Sequence, residues 1–189
     1  MIMKNKLQVT SYKLQAKAGF TLIETLVATF VLVTAIVGPL SIVAKGVFFS
    51  NIAKDQITAS YLAQEAIEYL RNKRDNNTIA QGTWAGYKGL IDSCITSICK
   101  IDVYDDTLTN CGESCPPLKY SDAIGLYGYG SGGDWTQTPY TRSIKVYYVP
   151  TGESNEAESN QIKIEVTMTW TNGALSKNFK LKENLLNWQ

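Results

Sequence analysis

The sequence predicts an α+β protein in which one long N-terminal helix packs on a small antiparallel sheet. Three observations carry that prediction: an uncharged apolar run over 25–44, a helical apolar stripe continuing to residue 70, and strict two-residue alternation around a glycine turn near the end of the chain. The 189 residues suit one domain with an appendage. An apolar content of 44% beside a net charge of +1 excludes a disordered chain, a multispan membrane protein and a broadly basic nucleic-acid binder. Histidine is absent, which removes the commonest general base and metal ligand. No nucleophile motif stands out either, so no enzymatic activity and no catalytic residue are expected.

The charge is unevenly placed. The first 19 residues hold Lys4, Lys6, Lys13 and Lys17 and no acid, leaving 14 basic against 17 acidic groups, a net of −3, in the rest. The uncharged run that follows is about 30 Å long as a helix, enough to span the hydrocarbon core of a bilayer. Four lysines precede it and Lys45 follows. The positive-inside rule then puts the N-terminus in the cytoplasm and the chain after Lys45 outside. The run is too long for an ordinary secretory signal. Glu24 lies at its start, and a carboxylate there costs roughly 2.5–3.5 kcal/mol on insertion scales, so it calls for a function and a partner. Gly38-Pro39 interrupts the run. Proline lacks the N–H and clashes with the carbonyl four residues back, so a kink or local melting is expected near 35–39.

The string Ala18-Gly19-Phe20-Thr21-Leu22-Ile23-Glu24-Thr25-Leu26-Val27-Ala28 resembles the class III signal of the type IV pilin family, which covers pilins, minor pilins and type II secretion pseudopilins. The resemblance implies a leader, 1–19, removed between Gly19 and Phe20 by a prepilin peptidase that then N-methylates Phe20. It implies an assembly helix over 20–45, a stalk over 46–76, an extracytoplasmic β domain over 77–189, and hence a pilin-like fold. Implied partners are that peptidase/methyltransferase, membrane lipid, an inner-membrane assembly platform and other pilin or pseudopilin subunits. Phe20, Glu24, Gly38 and Pro39 would serve filament assembly, with Glu24 meeting a neighbour's Phe20 ammonium. The protein is thus expected as a single-pass cytoplasmic-membrane protein that passes into an extracellular or periplasmic filament.

In the stalk, Ala59, Ala63, Ala66, Ile67 and Leu70 form one stripe, with Lys54, Tyr61, Glu65 and Glu68 opposite. Glu68 and Arg71 are spaced for a helical ion pair. The helix is expected to end at Asp75-Asn76-Asn77, which holds poor helix formers. The segment 61–75 is similar to the stalk of one minor-pilin subfamily, with Ala66 where that pattern has Gly.

Beyond 77 no helical stripe is expected. Ile162, Ile164, Val166, Met168 and Trp170 alternate with Lys163, Glu165, Thr167 and Thr169, a half-buried strand. With Asn172-Gly173 as the two central turn residues, Trp170 should face Leu175, Val166 face Phe179 and Ile164 face Leu181. Glu165 should then oppose Lys180, and Lys163 oppose Lys182. Ile144, Val146 and Tyr148 supply a further strand, joined to the hairpin by an acidic loop at 153–158. A strand is expected at 98–104 and a Gly-aromatic loop at 120–135, its rings tucked onto the sheet.

Cys94, Cys99, Cys111 and Cys115 lie within 22 positions at spacings unlike zinc knuckles. On the outer side of a membrane they are expected as two disulfides, with all three pairings open. No cofactor and no metal site are expected; Asp102, Asp105, Asp106 and Asp122 would be the residues of a calcium site, but they lack EF-hand spacing. Lys145, Lys163, Lys180 and Lys182 with Tyr147 are expected on one outer sheet face. Glu165 in their midst argues for a solvated face and against nucleic acid. The alternative function is a pilus-tip adhesin or DNA-binding pilin acting through the Gly-aromatic loop or this basic face.

Overall fold

The structure is a computed structural model that describes residues 19–150, 159–173 and 175–188. The leader before Gly19 and the acidic loop at 153–158 lie outside the described residues. The fold is α+β. A long N-terminal helix, α1 (Leu22–Ile79), is followed by α2 (Trp84–Ile91), α3 (Ser93–Thr96) and the strands β1 (Ile98–Asp102), β2 (Thr107–Gly112), β3 (Pro117–Ser121), β4 (Leu126–Gly128), β5 (Trp135–Tyr148), β6 (Gln161–Asn172) and β7 (Leu175–Leu186). The chain divides into two compact units, Met1–Phe48 and Phe49–Gln189.

Within the first unit, the helix is apolar and long enough to cross a membrane, and every described residue of it is exposed. Its hydroxyls are turned inward on its own backbone. Thr25 Oγ1 donates to the Leu22 carbonyl at 2.8 Å, Thr29 to Leu26 at 3.0 Å, and Ser41 to Gly38 at 2.8 Å. That self-satisfaction suits an apolar solvent, where an unpaired polar group is costly. The helix continues through Pro39 without the expected local melting.

In the second unit, the stripe Ala59, Leu62, Ala63, Ala66, Ile67 and Leu70 is buried. Small alanines let the helix approach the sheet closely, and Ile67 and Leu70 fill the space beyond them. The helix runs past the expected stop at 75–77 to Ile79, and the reason is a well-made end. Gln81 N donates to the Thr78 carbonyl at 3.0 Å and Gly82 N to the Asn77 carbonyl at 2.8 Å, with Gln81 at φ 59°, the paired bonds of a Schellman cap. Asn76 Nδ2 adds a bond to Asn72 Oδ1 at 2.7 Å, so the asparagines support the last turn they were expected to break. Gly82 is required there, because a Cβ would come within 2.8 Å of the Asn77 carbonyl oxygen.

The α2 helix corrects the expectation of an all-β segment after 77. Thr83 Oγ1 accepts from Gly86 N at 3.1 Å as its N-cap, and Trp84, Tyr87 and Ile91 share one buried face. Tyr87 Oη donates to the Leu70 carbonyl at 3.1 Å, which ties α2 to the stalk.

All seven strands among the described residues form one antiparallel sheet with β5 at its centre. β6 pairs along the second half of β5, from Thr141↔Thr169 to Tyr148↔Ile162, and β7 pairs with β6. On the other side of β5, β3 runs along the first half and β1 meets it at Cys99↔Ile144. The core lies between this sheet and the stalk, built from Ile101, Leu118, Ile144, Val146, Ile164, Val166 and Met168 against the helix stripe.

The β6–β7 hairpin is present and its core face is the expected one, but its register is two residues away from expectation. The closing pair is Asn172↔Leu175, so Met168 faces Phe179, Val166 faces Leu181 and Glu165 faces Lys182. Gly173, at φ 60°, is the first loop residue and Asn172 belongs to the strand. A shift of two keeps every side chain on its face, so the alternation alone could not distinguish the registers. The choice follows from two contacts. Asn172 Nδ2 donates to Asp55 Oδ2 of the stalk at 2.7 Å, and Glu183, now facing Ile164, pairs with Arg71.

Candidate assembly helix and stalk–sheet surface

Gly19 and Phe20 are exposed and precede the helix, whose first turn contains Glu24. Thr21 Oγ1 accepts from Glu24 N at 3.3 Å, the arrangement of an N-cap with an acid three residues on. Thr21-x-x-Glu24 is a capping signature in its own right. It gives the carboxylate a local role at the positive end of the helix dipole, and this was readable from the spacing. Gly38 and Pro39 lie mid-helix, and Gly38 has open space where a Cβ would stand. The sequence therefore brings Phe20 and Glu24 to one helix end, with Gly38 and Pro39 further along.

The most deeply buried charged group in the second unit among the described residues was not anticipated. Arg142 is fully buried on the core face of β5. Its Nη1 donates to Glu65 Oε2 at 2.5 Å and to the Leu62 carbonyl at 2.9 Å, and its Nη2 donates to the Ile101 carbonyl at 2.8 Å. One guanidinium thus joins stalk, β1 and β5. Glu65, expected on the outer side, is drawn to the stalk's flank by this pair and stays about one-third exposed. The signal was parity: Arg142 is two residues from Ile144, on the inward face. The Glu68–Arg71 pair forms as expected, at 2.6 Å.

The cysteines form Cys94–Cys99 and Cys111–Cys115. The first bridge is buried and pins α3 to β1; the second closes the short link between β2 and β3.

Among the described residues no group of three or more acids or cysteines is placed to hold a metal. Asp102 is buried, with Oδ1 accepting from the amides of Tyr104 and Asp105 and Oδ2 from Tyr129 N at 2.8 Å. Asp106 pairs with Lys73 at 2.7 Å, which holds its carboxyl below the usual range.

The 120–135 segment contains β4 and is folded onto the sheet. The Trp135 ring lies so close to Gly130 that a Cβ there would fall 2.2 Å from it, and Lys119 Nζ donates to the Gly130 carbonyl at 2.9 Å. Burial pushes the Tyr129 hydroxyl up to about 12. On the outer face, Glu165 holds Lys180 at 2.8 Å and Lys182 at 3.1 Å, while Lys163 sits over the Tyr147 ring at 4.7 Å. The two lysine hydrogen bonds lower the Glu165 carboxyl. That face is an internally paired strand surface.

Comparison with protein-family models, with curated proteins and with solved structures finds no match for this chain.

Proposed function

We propose that this protein is a structural subunit, a minor pilin or pseudopilin, of a type IV pilus or type II secretion-like filament. The observation that carries the reading is the Gly19-Phe20…Glu24 string set at the head of a fully exposed apolar helix that continues as the stalk of an α+β domain. The chain is stored in the cytoplasmic membrane with its N-terminus inside. A prepilin peptidase cuts between Gly19 and Phe20 and methylates the new amine, and an assembly platform then draws the subunit into the filament. Glu24 has two uses in this scheme. Before assembly its carboxylate stands at the positive end of the helix dipole; on docking it pairs with the Phe20 ammonium of a neighbour, offsetting the cost of both charges in lipid.

The test is co-expression with a prepilin peptidase, reading intact mass and sheared filaments. The product should begin at Phe20. Glu24→Gln should still be cut and should accumulate in the membrane, because a lone ammonium left in lipid costs roughly 3–5 kcal/mol and reduces docking by hundreds-fold or more. A mature N-terminus beyond residue 44, or normal assembly of the Gln variant, would count against the scheme.

A further inference from the structure

Between the stalk and the β3–β4 hairpin runs an open groove with two lobes of about 440 and 420 Å³ that share Thr58 and Tyr127. Each lobe falls within the size range of small-molecule sites. The wall of the larger lobe is aromatic and braced. Tyr120 and Tyr127 have centroids 5.0 Å apart, Tyr140 stands edge-on to Tyr127 at 6.3 Å, and Trp170 backs Tyr140 at 6.4 Å. Tyr140 Oη donates to Asp55 Oδ1 at 3.1 Å, while Asn172 Nδ2 holds the other oxygen of that carboxylate. The rings are thus fixed from behind by both the stalk and the hairpin end.

The rim is different. Lys54, Asp122 and Gln137 line the same lobe with exposed side chains, and none makes a side-chain hydrogen bond or ion pair among the described residues. A cation, an anion and an amide therefore stand around a pre-formed tyrosine wall. An extended peptide is a poor fit, since β3 is hydrogen-bonded on both sides, by β4 and β5, and the open edge of β4 spans only the 3 residues Leu126–Gly128, too short to seat an added strand. The lobes are open clefts without an enclosed apolar hole for an anchoring side chain. A pyranose ring has the matching chemistry: an apolar C–H face to lie on a tyrosine and a rim of hydroxyls that both donate and accept.

We infer that this groove is a saccharide-binding site, with a sugar ring against Tyr120 and Tyr127 and its hydroxyls bonded to Asp122, Gln137 and Lys54. The inference does not rest on the filament reading, because every residue in it belongs to the Phe49–Gln189 unit.

The test uses the full chain in micelles of a zwitterionic detergent without a sugar headgroup. Methyl glycosides of glucose, galactose, N-acetylglucosamine and glucuronic acid, with the corresponding β-linked disaccharides, are titrated by saturation-transfer NMR. At least one should bind with Kd at about 1 mM or tighter. Asp122→Asn, an exposed isosteric change, should weaken it tenfold or more with the thermal midpoint unchanged, and Tyr120→Ala should do the same or worse. Absence of binding by every probe at ten times that concentration overturns the inference, as does undiminished binding in both variants. Self-association that is lost in those variants, without saccharide binding in the parent chain, would make the groove an interface between copies and overturn it equally.

Discussion

Replacing Arg142 by Met tests whether the buried guanidinium holds the stalk to the sheet. Met is close in length and keeps the core filled, so the cavity contribution is small. What disappears is three hydrogen bonds: to the Leu62 carbonyl, to Glu65, and to the Ile101 carbonyl. They differ in consequence. Leu62 sits within α1, so its carbonyl retains the helix's own ladder, and Glu65 is about one-third exposed and can hydrate. Ile101 is the severe loss, because β1 meets β5 only at Cys99↔Ile144 and the buried carbonyl of Ile101 turns to Arg142. An unsatisfied buried carbonyl costs about 1–3 kcal/mol, and each bond to a charged donor contributes about 1.5–3. Arg142 Nε is itself buried without a partner among the described residues, a cost that the substitution removes. The net expected loss is about 2–4 kcal/mol. Glu65→Gln, which keeps an accepting oxygen at the exposed end, should cost only about 1 kcal/mol. Urea unfolding of the full chain in micelles, followed by tryptophan fluorescence, reads both values and their coupling in a double-mutant cycle. Trp84, Trp135 and Trp170 all report on the second unit. An Arg142→Met variant as stable as the parent would refute the reasoning, and would mean that burying the charge costs as much as its bonds return.

Three further outcomes are expected. The non-reduced chain should be lighter by four hydrogens than its reduced form in intact-mass spectra, and peptide mapping should find Cys94 linked to Cys99 and Cys111 to Cys115; any other pairing contradicts the fold. Lys180 and Lys182 depress the Glu165 carboxyl below its ordinary 4.5, so their contribution is fully present above that pH and is lost as pH falls through the lowered value; the difference in thermal midpoint between the parent and Glu165→Gln should therefore shrink on acidification below about 4.5 and stay flat from pH 6 to 8. Gly82→Ala should destabilise by about 1–3 kcal/mol in the same urea assay, because the new methyl meets the backbone oxygen of Asn77, which accepts the capping bond.

The elements with a clean period were legible. The stalk stripe from Ala59 to Leu70 and the β6 alternation both lie on buried faces as expected, because a helix or strand that packs against one partner has one apolar side and the spacing of that side is geometric. The misses were decided by specific contacts that neither period nor propensity encodes, one distant in sequence and one local. Asn172 was placed in the turn by its dipeptide, yet Asp55, 117 residues away, binds it in the strand. Asn76 and Asn77 were placed at the helix's end by propensity, yet the cap formed with Gly82 outweighs a few tenths of a kcal/mol per residue and carries the helix on to Ile79. Within the candidate sites, the Gly19–Glu24 string was readable because it is contiguous. The Arg142–Glu65 pair and the tyrosine groove were not, since they assemble from the stalk and three strands that only the folded chain brings together.

The two bridges also determine how this chain can oxidise. Each joins neighbours, at separations of 5 and 4 residues, and each of the two alternative connectivities closes a pair of loops at least twice as long. Closing a longer flexible loop is entropically dearer, by about 0.6 kcal/mol per doubling, so chain entropy does not favour the alternative partners. In the proposed orientation the N-terminus stays in the cytoplasm and the stalk end of this domain crosses before its C-terminus, so Cys94 can find Cys99 a few residues later, before Cys111 has emerged to compete. Maturation of this domain then depends on access to an oxidant, and little on an isomerase to correct wrong pairs.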